Sequence, residues 1–221
     1  IDRAMIGRLL RVGLPGGVDQ ITVVCCHLLY LRIINELGTE AAAAHGVAIR
    51  IEALGYLPGG AFQVAAATLV GQYLGAQQPG RAKRSVLWAL ACAGAIMGCT
   101  GAAFYHFADP LAALFLGHNA SGVHATAADL LRIASAIMLP LSGAMVFTGA
   151  LRGAGDTRFP LIATFCGIIL GRLLTALVLL WLEFSVYWIF AVMLLDYAIK
   201  AGMLFYRSRS RKWRDSQFDA A

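Results

Sequence analysis

Long apolar runs, separated by short polar or glycine-rich stretches, dominate this chain. Six of them are long enough to cross a bilayer core of about 30 Å, which takes about 20 helical residues. They cover 14–37, 42–75, 85–107, 124–151, 159–182 and 186–207. The second is too long for a straight crossing and contains Pro58-Gly59-Gly60. Proline removes a backbone donor and glycine lowers helix propensity, so the pattern predicts a kink or break there. Pro140 predicts a bend in the fourth run. Between the third and fourth, "DPLAALFLGHN" (109–119) reads as a short interfacial helix. The pattern defines an all-α polytopic membrane protein, with a six-span unit over residues 1–206 and a basic polar tail over 207–221.

Composition agrees with the spans. The 221 residues are 59% hydrophobic and 14% charged, against roughly 45–50% and about 25% in soluble domains. Mean hydropathy is +0.71. The five cysteines lie in apolar runs with no CxxC or Cys/His spacing, so no metal site is expected and they read as small packing residues. The first residue is Ile1 and no signal-peptide pattern follows, which leads to the expectation that the chain is a piece of a longer one.

The net charge of +6 would suit a nucleic-acid partner, but its distribution gives it another meaning. Arg3, Arg8 and Arg11 precede the first run. Arg81, Lys83 and Arg84 follow the second, Arg152 and Arg158 the fourth, and Arg207, Arg209, Arg211, Lys212 and Arg214 the sixth. The intervening "NELGTE", 108–123 and "EFS" carry no basic residue. Basic loops mark the cytoplasmic side. Both ends of the segment are therefore expected in the cytoplasm, in a cell inner (plasma) membrane, with no nucleic acid bound. The tail is expected beside anionic headgroups.

Arg32, Arg50, Arg132, Arg172 and Lys200 remain, together with the acids Asp19, Glu52, Asp129 and Asp196. A charge at the bilayer centre costs about 2.5–3.5 kcal/mol on insertion scales and usually faces the bundle interior or a water-filled cavity. Arg172 and Asp196 each lie twelve positions from Phe184, at the hairpin between runs five and six. That is about 18 Å of helix, which puts both at one depth near the midplane. Lys200 follows Asp196 by one turn on the same face. A contact among the three is expected, either as a packing device or as a relay element. Arg50 and Glu52 are two positions apart and cannot face each other on a helix. Glu52, close to the expected break, fits a transporter's discontinuous-helix site or an interfacial position. Asp19 stands just inside the first run, where it is either solvated or open to a central cavity. Gln20, Gln63 and Gln72 offer amide hydrogen bonds to a polar ligand. His45 reads as a helix-end residue rather than a ligand.

Motifs for chemistry are missing. There is no HExxH, GxSxG or GxxxxGK[ST], and Ser135 and Ser142 have no His or Lys near them on their own run. An enzyme is not expected. The glycine-rich "GALRGAGDTRFP" (149–160) lacks the Gly-Lys pair of a phosphate loop. It reads as a turn, with Asp156 or Thr157 capping the next helix and Pro160 in its first turn.

Three stretches, "GLPGGVDQ" (13–20), "LGTEAAAAHGVAIRIEALGYLPGGAFQVAAATLVGQYLGA" (37–76) and "GALRGAGDTRFPL" (149–161), closely resemble the carboxy-terminal half of the multidrug and toxic compound extrusion (MATE) family. The resemblance covers nearly the whole chain. It implies one six-helix lobe of a twelve-helix, two-lobe transporter. Such a transporter exports organic, often cationic or amphiphilic compounds by alternating access, in exchange for sodium or protons and with no cofactor. A missing amino-terminal lobe, drug-like substrates and the lipid bilayer are the implied partners. The resemblance maps the acid of an "LPxxxEQ" pattern onto Asp19 and the "RIE" segment onto Arg50, Ile51 and Glu52. It finds no carboxylate in "MLPLSGAMVF", where some members carry one. Asp19, Gln20, Arg50, Glu52 and Gln63 are the expected ion-coupling or cleft residues, and Arg172, Asp196 and Lys200 the expected buried charge network. Two alternatives are a lipid-linked oligosaccharide flippase of the same superfamily, which needs a strongly basic cavity, and a non-transporting membrane scaffold subunit.

Overall fold

The computed structural model describes residues 3–116 and 121–210, and all of its regular elements are helices. The side chains of Arg3, Arg8 and Arg11, residues 117–119 of the expected interfacial helix, and tail residues 211–221 lie outside this description. Helix α1 (Arg3–Glu36) leads into α2 (Thr39–Gly75), α3 (Pro79–His106), the short α4 (Ala108–Leu116) and α5 (Ser121–Gly153). The fifth span is composite: α6 (Arg158–Phe165), a π-helical segment (Cys166–Leu174) and α7 (Thr175–Trp181). Helix α8 (Val186–Arg209) completes the set. Six helical stretches among the described residues are long and apolar enough to cross a membrane.

Helix α5 is the axis of the array. Its apolar window is 67% buried, and no other span exceeds 33%. The remaining helices therefore surround it and turn large apolar side chains outward, among them Leu57, Trp88, Leu139, Trp181 and Trp188. In lipid that outward face needs no protein cover. Two apolar cores lie along the axis. One joins Tyr30, Ile34, Ile51, Leu130, Ile137 and Phe190. The other, nearer the basic turns, joins Val70, Val86, Phe147, Leu151 and Leu204.

Small residues set the spacing of α2 and α5. A Cβ at Gly149 would collide with the Gln63 carbonyl, and one at Gly153 with the Ala67 carbonyl. A Cβ at Gly71 would lie 3.2 Å from the Gly153 carbonyl oxygen. The two backbones thus run in direct contact, as small residues at four-residue spacing allow in membranes. Of the kink or break expected at Pro58-Gly59-Gly60, the break does not occur: α2 is helical through all three residues. Methionines account for Gly59, and for Gly55 one turn before it. The Met138 sulfur occupies the space of a Gly55 side chain, and Met97 and Met145 that of Gly59. Helix α5 likewise passes Pro140 without interruption. Neighbouring helices and local adjustment make proline tolerable within a membrane span.

The stretch 149–160 is a turn, as expected. Gly155 adopts φ 85°. The Asp156 amide donates to Leu151 O at 2.9 Å and the Gly155 amide to Arg152 O at 3.0 Å, the paired bonds of a Schellman cap. Asp156 Oδ1 then accepts from the Phe159 amide at 3.3 Å, and Arg207 Nε donates to Asp156 Oδ2 at 2.8 Å. Arg207 belongs to α8, which runs to Arg209, so the span passes the expected start of the tail at 207. Far from this turn, Arg132 bonds Asp129 at 2.6 Å and Asp109 at 2.7 Å, tying α4 to α5.

The close seam makes a prediction. Gly153→Leu should destabilise the chain by about 1–3 kcal/mol through overpacking. Gly94→Leu on α3, where a Cβ meets nothing within 4 Å, should leave the melting temperature in detergent nearly unchanged. Equal losses at the two positions would show that the α2–α5 contact is not a tight one.

Candidate functional site

A cavity of about 340 Å³ opens among α1, α2, α5, the fifth span and α8. Each helix contributes polar groups at helical spacing. On α1, Asp19, Val23 and His27 line it, four residues apart; on α2, Glu52, Tyr56 and Gln63; on α5, Met145, Thr148 and Arg152; on α8, Met193, Tyr197 and Lys200. Of the expected cleft residues, Asp19, Gln20, Glu52 and Gln63 face this space. Arg50 does not: it is exposed and off the cavity. Two positions on a helix are about 200° apart, so the rotation that turns Glu52 inward turns Arg50 away. Gln72 is also exposed and outside the cavity.

Asp196 is the most enclosed charge, with no exposed surface. Arg172 Nη2 lies 2.7 Å from one carboxylate oxygen and Lys200 Nζ 3.0 Å from the other. The three residues therefore meet as their depths predict. Arg172 also faces two rings, Tyr197 with its centroid at 5.2 Å and Tyr30 at 5.8 Å. The geometry depends on the π segment. Glycines at 167 and 171 bring its backbone against α8, because a Cβ at Gly167 would strike Asp196 Oδ1 and one at Gly171 would lie 3.2 Å from Asp196 Cα. Insertions of this kind re-aim the residues that follow and are frequent at functional sites. The sequence reading separated this network from the cleft. In the structure Arg172 and Lys200 line the same cavity as Asp19 and Glu52.

A second ion pair joins α1 to α5, where Arg152 Nη2 contacts Asp19 Oδ2. Assigning Arg152 to the turn overlooked this role. Their shared nearness to the basic end was the signal that could have found it, since Asp19 stands about one turn inside the first span and Arg152 at the last turn of the fourth. Among the described residues Glu52 is the cavity acid without an ion pair, whereas Asp19 and Asp196 each contact a base. Glu52 is buried, and its Oε2 has no hydrogen-bond partner. His27, missed in the sequence, lies on the Asp19 face of α1 and was recoverable from the eight-residue spacing. His45 is not a solvated helix-end residue. It is 1% exposed, with both ring nitrogens unpartnered. The rings of Tyr30 and Phe190 flank it, both with centroids at 5.7 Å.

Spans that are apolar outside and enclose a cavity lined by paired charges define a multi-pass membrane protein built around a polar cavity. The MatE family model matches residues 15–178, and the chain belongs to that family. It is similar to the probable multidrug resistance protein NorM of Thermotoga maritima, 29% identical over 77% of this chain and 36% of that protein. It is also similar to the multidrug resistance protein NorM of Burkholderia vietnamiensis, 30% identical over 74% of this chain and 36% of that one. Its fold matches a MOP superfamily transporter from Pyrococcus furiosus for which a reverse polarity of the binding pocket suggests a different function. That match has a TM-score of 0.89 at 19% identity and covers 98% of this chain and 48% of the other. The chain thus spans about half the length of the solved transporters and aligns over about a third of the curated relatives.

The triad yields an asymmetric prediction. Asp196→Asn leaves two cations facing each other in a buried site and should cost about 3–5 kcal/mol. Lys200→Met leaves the Arg172–Asp196 pair intact and should cost far less. Thermal unfolding of both variants in one detergent tests this, and comparable losses would show that Asp196 does not hold the site together.

Proposed function

We propose that this chain forms one six-helix lobe of a secondary multidrug exporter. The complete transporter pairs it with a second, amino-terminal lobe and moves organic cationic or amphiphilic compounds outward in exchange for sodium or protons. The curated relatives are multidrug resistance proteins, which supports the substrate class. The observation that carries the reading is the charge arrangement of the cavity. Arg152, Arg172 and Lys200 are all ion-paired there, while the buried Glu52 makes no ion pair among the described residues. A cavity of this kind offers an incoming cation or proton a carboxylate and, among its described residues, offers an anion no unpaired arginine or lysine. That distinguishes it from the basic cradle a pyrophosphate-linked sugar would need. A scaffold has no use for charges held at this cost inside a membrane.

In this reading Glu52 is the coupling acid. The Asp19–Arg152 pair ties α1 to α5 near the basic end and exchanges partners as the lobes rock about the cleft. The basic ends face the cytoplasm of a plasma-membrane transporter, following the loop charges.

Ethidium efflux from cells carrying the complete protein, in sodium and in sodium-free medium, tests the proposal. Glu52→Gln should lower efflux at least about tenfold and remove its dependence on the ion gradient, while Asp19→Asn should slow efflux and retain that dependence. Parental efflux with Glu52→Gln would remove Glu52 from coupling, and no ethidium efflux by the parent would remove the exporter reading.

A further inference from the structure

We propose that a groove between α3 and α8, on the far side of α5 from the cavity, binds an anionic glycerophospholipid. Its volume is about 450 Å³, and none of its lining residues faces the central cavity. The buried Phe147, Ala150 and Leu151 of α5 form the floor. Val86, Leu87 and Leu90 of α3 make one wall, and Phe205 of α8 the other. Leu87 and Phe205 are largely exposed, so the groove opens outward. At one end stand Lys83 and Arg209.

The charge and the depth fit one kind of occupant. Lys83 and Arg209 are exposed, and among the described residues neither has a carboxylate within ion-pair distance. The Arg209 guanidinium rests over the Phe205 ring with its centroid at 5.4 Å, which places the cation directly above the apolar wall. From Lys83 to Leu90 the helix descends about 10 Å, from headgroup level into the hydrocarbon. Two cations over an apolar slot match a phosphate headgroup with an acyl chain below it, as basic pockets between spans do elsewhere. Another helix would fill the slot but leave both cations without counter-charge. The phosphate therefore lies between Lys83 and Arg209 and the chain runs along Leu87, Phe147 and Phe205. This site depends only on the membrane setting and not on the transport reading.

The test is a titration of the purified full chain with phosphatidylglycerol against phosphatidylcholine, read by native mass spectrometry and by melting temperature. Phosphatidylglycerol should be retained preferentially. Lys83→Ala with Arg209→Ala should reduce its binding about 30-fold, since each basic side chain contributes about fivefold to attraction by an anionic lipid. Lys83→Arg with Arg209→Lys should preserve binding. Leu87→Trp, which fills the slot without touching the cations, should reduce it. Arg81→Ala with Arg84→Ala, in a separate pocket on α3, should change it far less. An unaltered melting temperature in phosphatidylcholine establishes that the variants fold. Equal losses for the two cation pairs would reduce the effect to diffuse attraction and overturn the site. So would protection by inorganic phosphate equal to that by the lipid, or lipid binding only after deletion of residues 211–221.

Discussion

A carboxylate with no exposed surface, held between two cations amid apolar helices, constrains much of this architecture. Asp196 is tolerable there only while Arg172 and Lys200 stay within contact, since breaking a buried pair costs more than its formation contributes. The π segment brings Arg172 to the right depth and side, and glycines 167 and 171 let its backbone approach α8 closely enough. Tyr30, whose hydroxyl donates to Ile189 O at 2.9 Å, links α1 to α8 beside the same guanidinium. Three spans are thereby tied by polar contacts within two turns of α8, which matter in a solvent that gives helices no hydrophobic reason to associate.

The other organising element is apolar. Helix α5 sits in the middle because its residues at the crowded positions are small or flexible: Gly149 and Gly153 toward α2, and Met138 and Met145 filling the space beside Gly55 and Gly59. Polar side chains about 100° round the same helix, Thr148 and Arg152, are left to face the cavity. One helix thus serves as packing axis and cavity wall, and the close seam fixes the register at which Arg152 meets Asp19.

Much of this was legible in the sequence because the membrane imposes simple rules. Run length located the six spans to within a few residues at most ends. Distance from the hairpin placed Arg172 opposite Asp196 with no further information. The failures have physical causes too. Pro58-Gly59-Gly60 reads as a kink or break by propensity, but the helix continues through it, and Met97 and Met145 fill the space beside Gly59. The π segment leaves no compositional mark beyond its glycine pair, so the route by which Arg172 reaches Asp196 was invisible. Arg152 was hidden by its own usefulness as a topology marker, since a residue counted as loop charge is not asked for a partner. Rotation about α2 separates Arg50 from Glu52, as their two-residue spacing required, and the expectation of a shared cleft role followed the family resemblance of the "RIE" segment.

The positions of paired and unpaired charges follow one rule. Inside the cavity each cation has a carboxylate, because water is scarce and an uncompensated charge is costly. At the basic end Lys83 and Arg209 have no protein partner among the described residues, since solvent and lipid phosphate supply counter-charge at that depth. Arg207 lies between these cases. It is half-buried over the Phe159 ring, at 5.3 Å from the centroid, and takes Asp156 as its partner. Burial therefore explains which basic residues near the turns became structural and which were left for the membrane. The same rule makes Glu52 conspicuous: it is as buried as its paired neighbours and is the one cavity acid with no base in contact among the described residues. An acid held that way is costly to the fold unless something mobile shares the cavity with it.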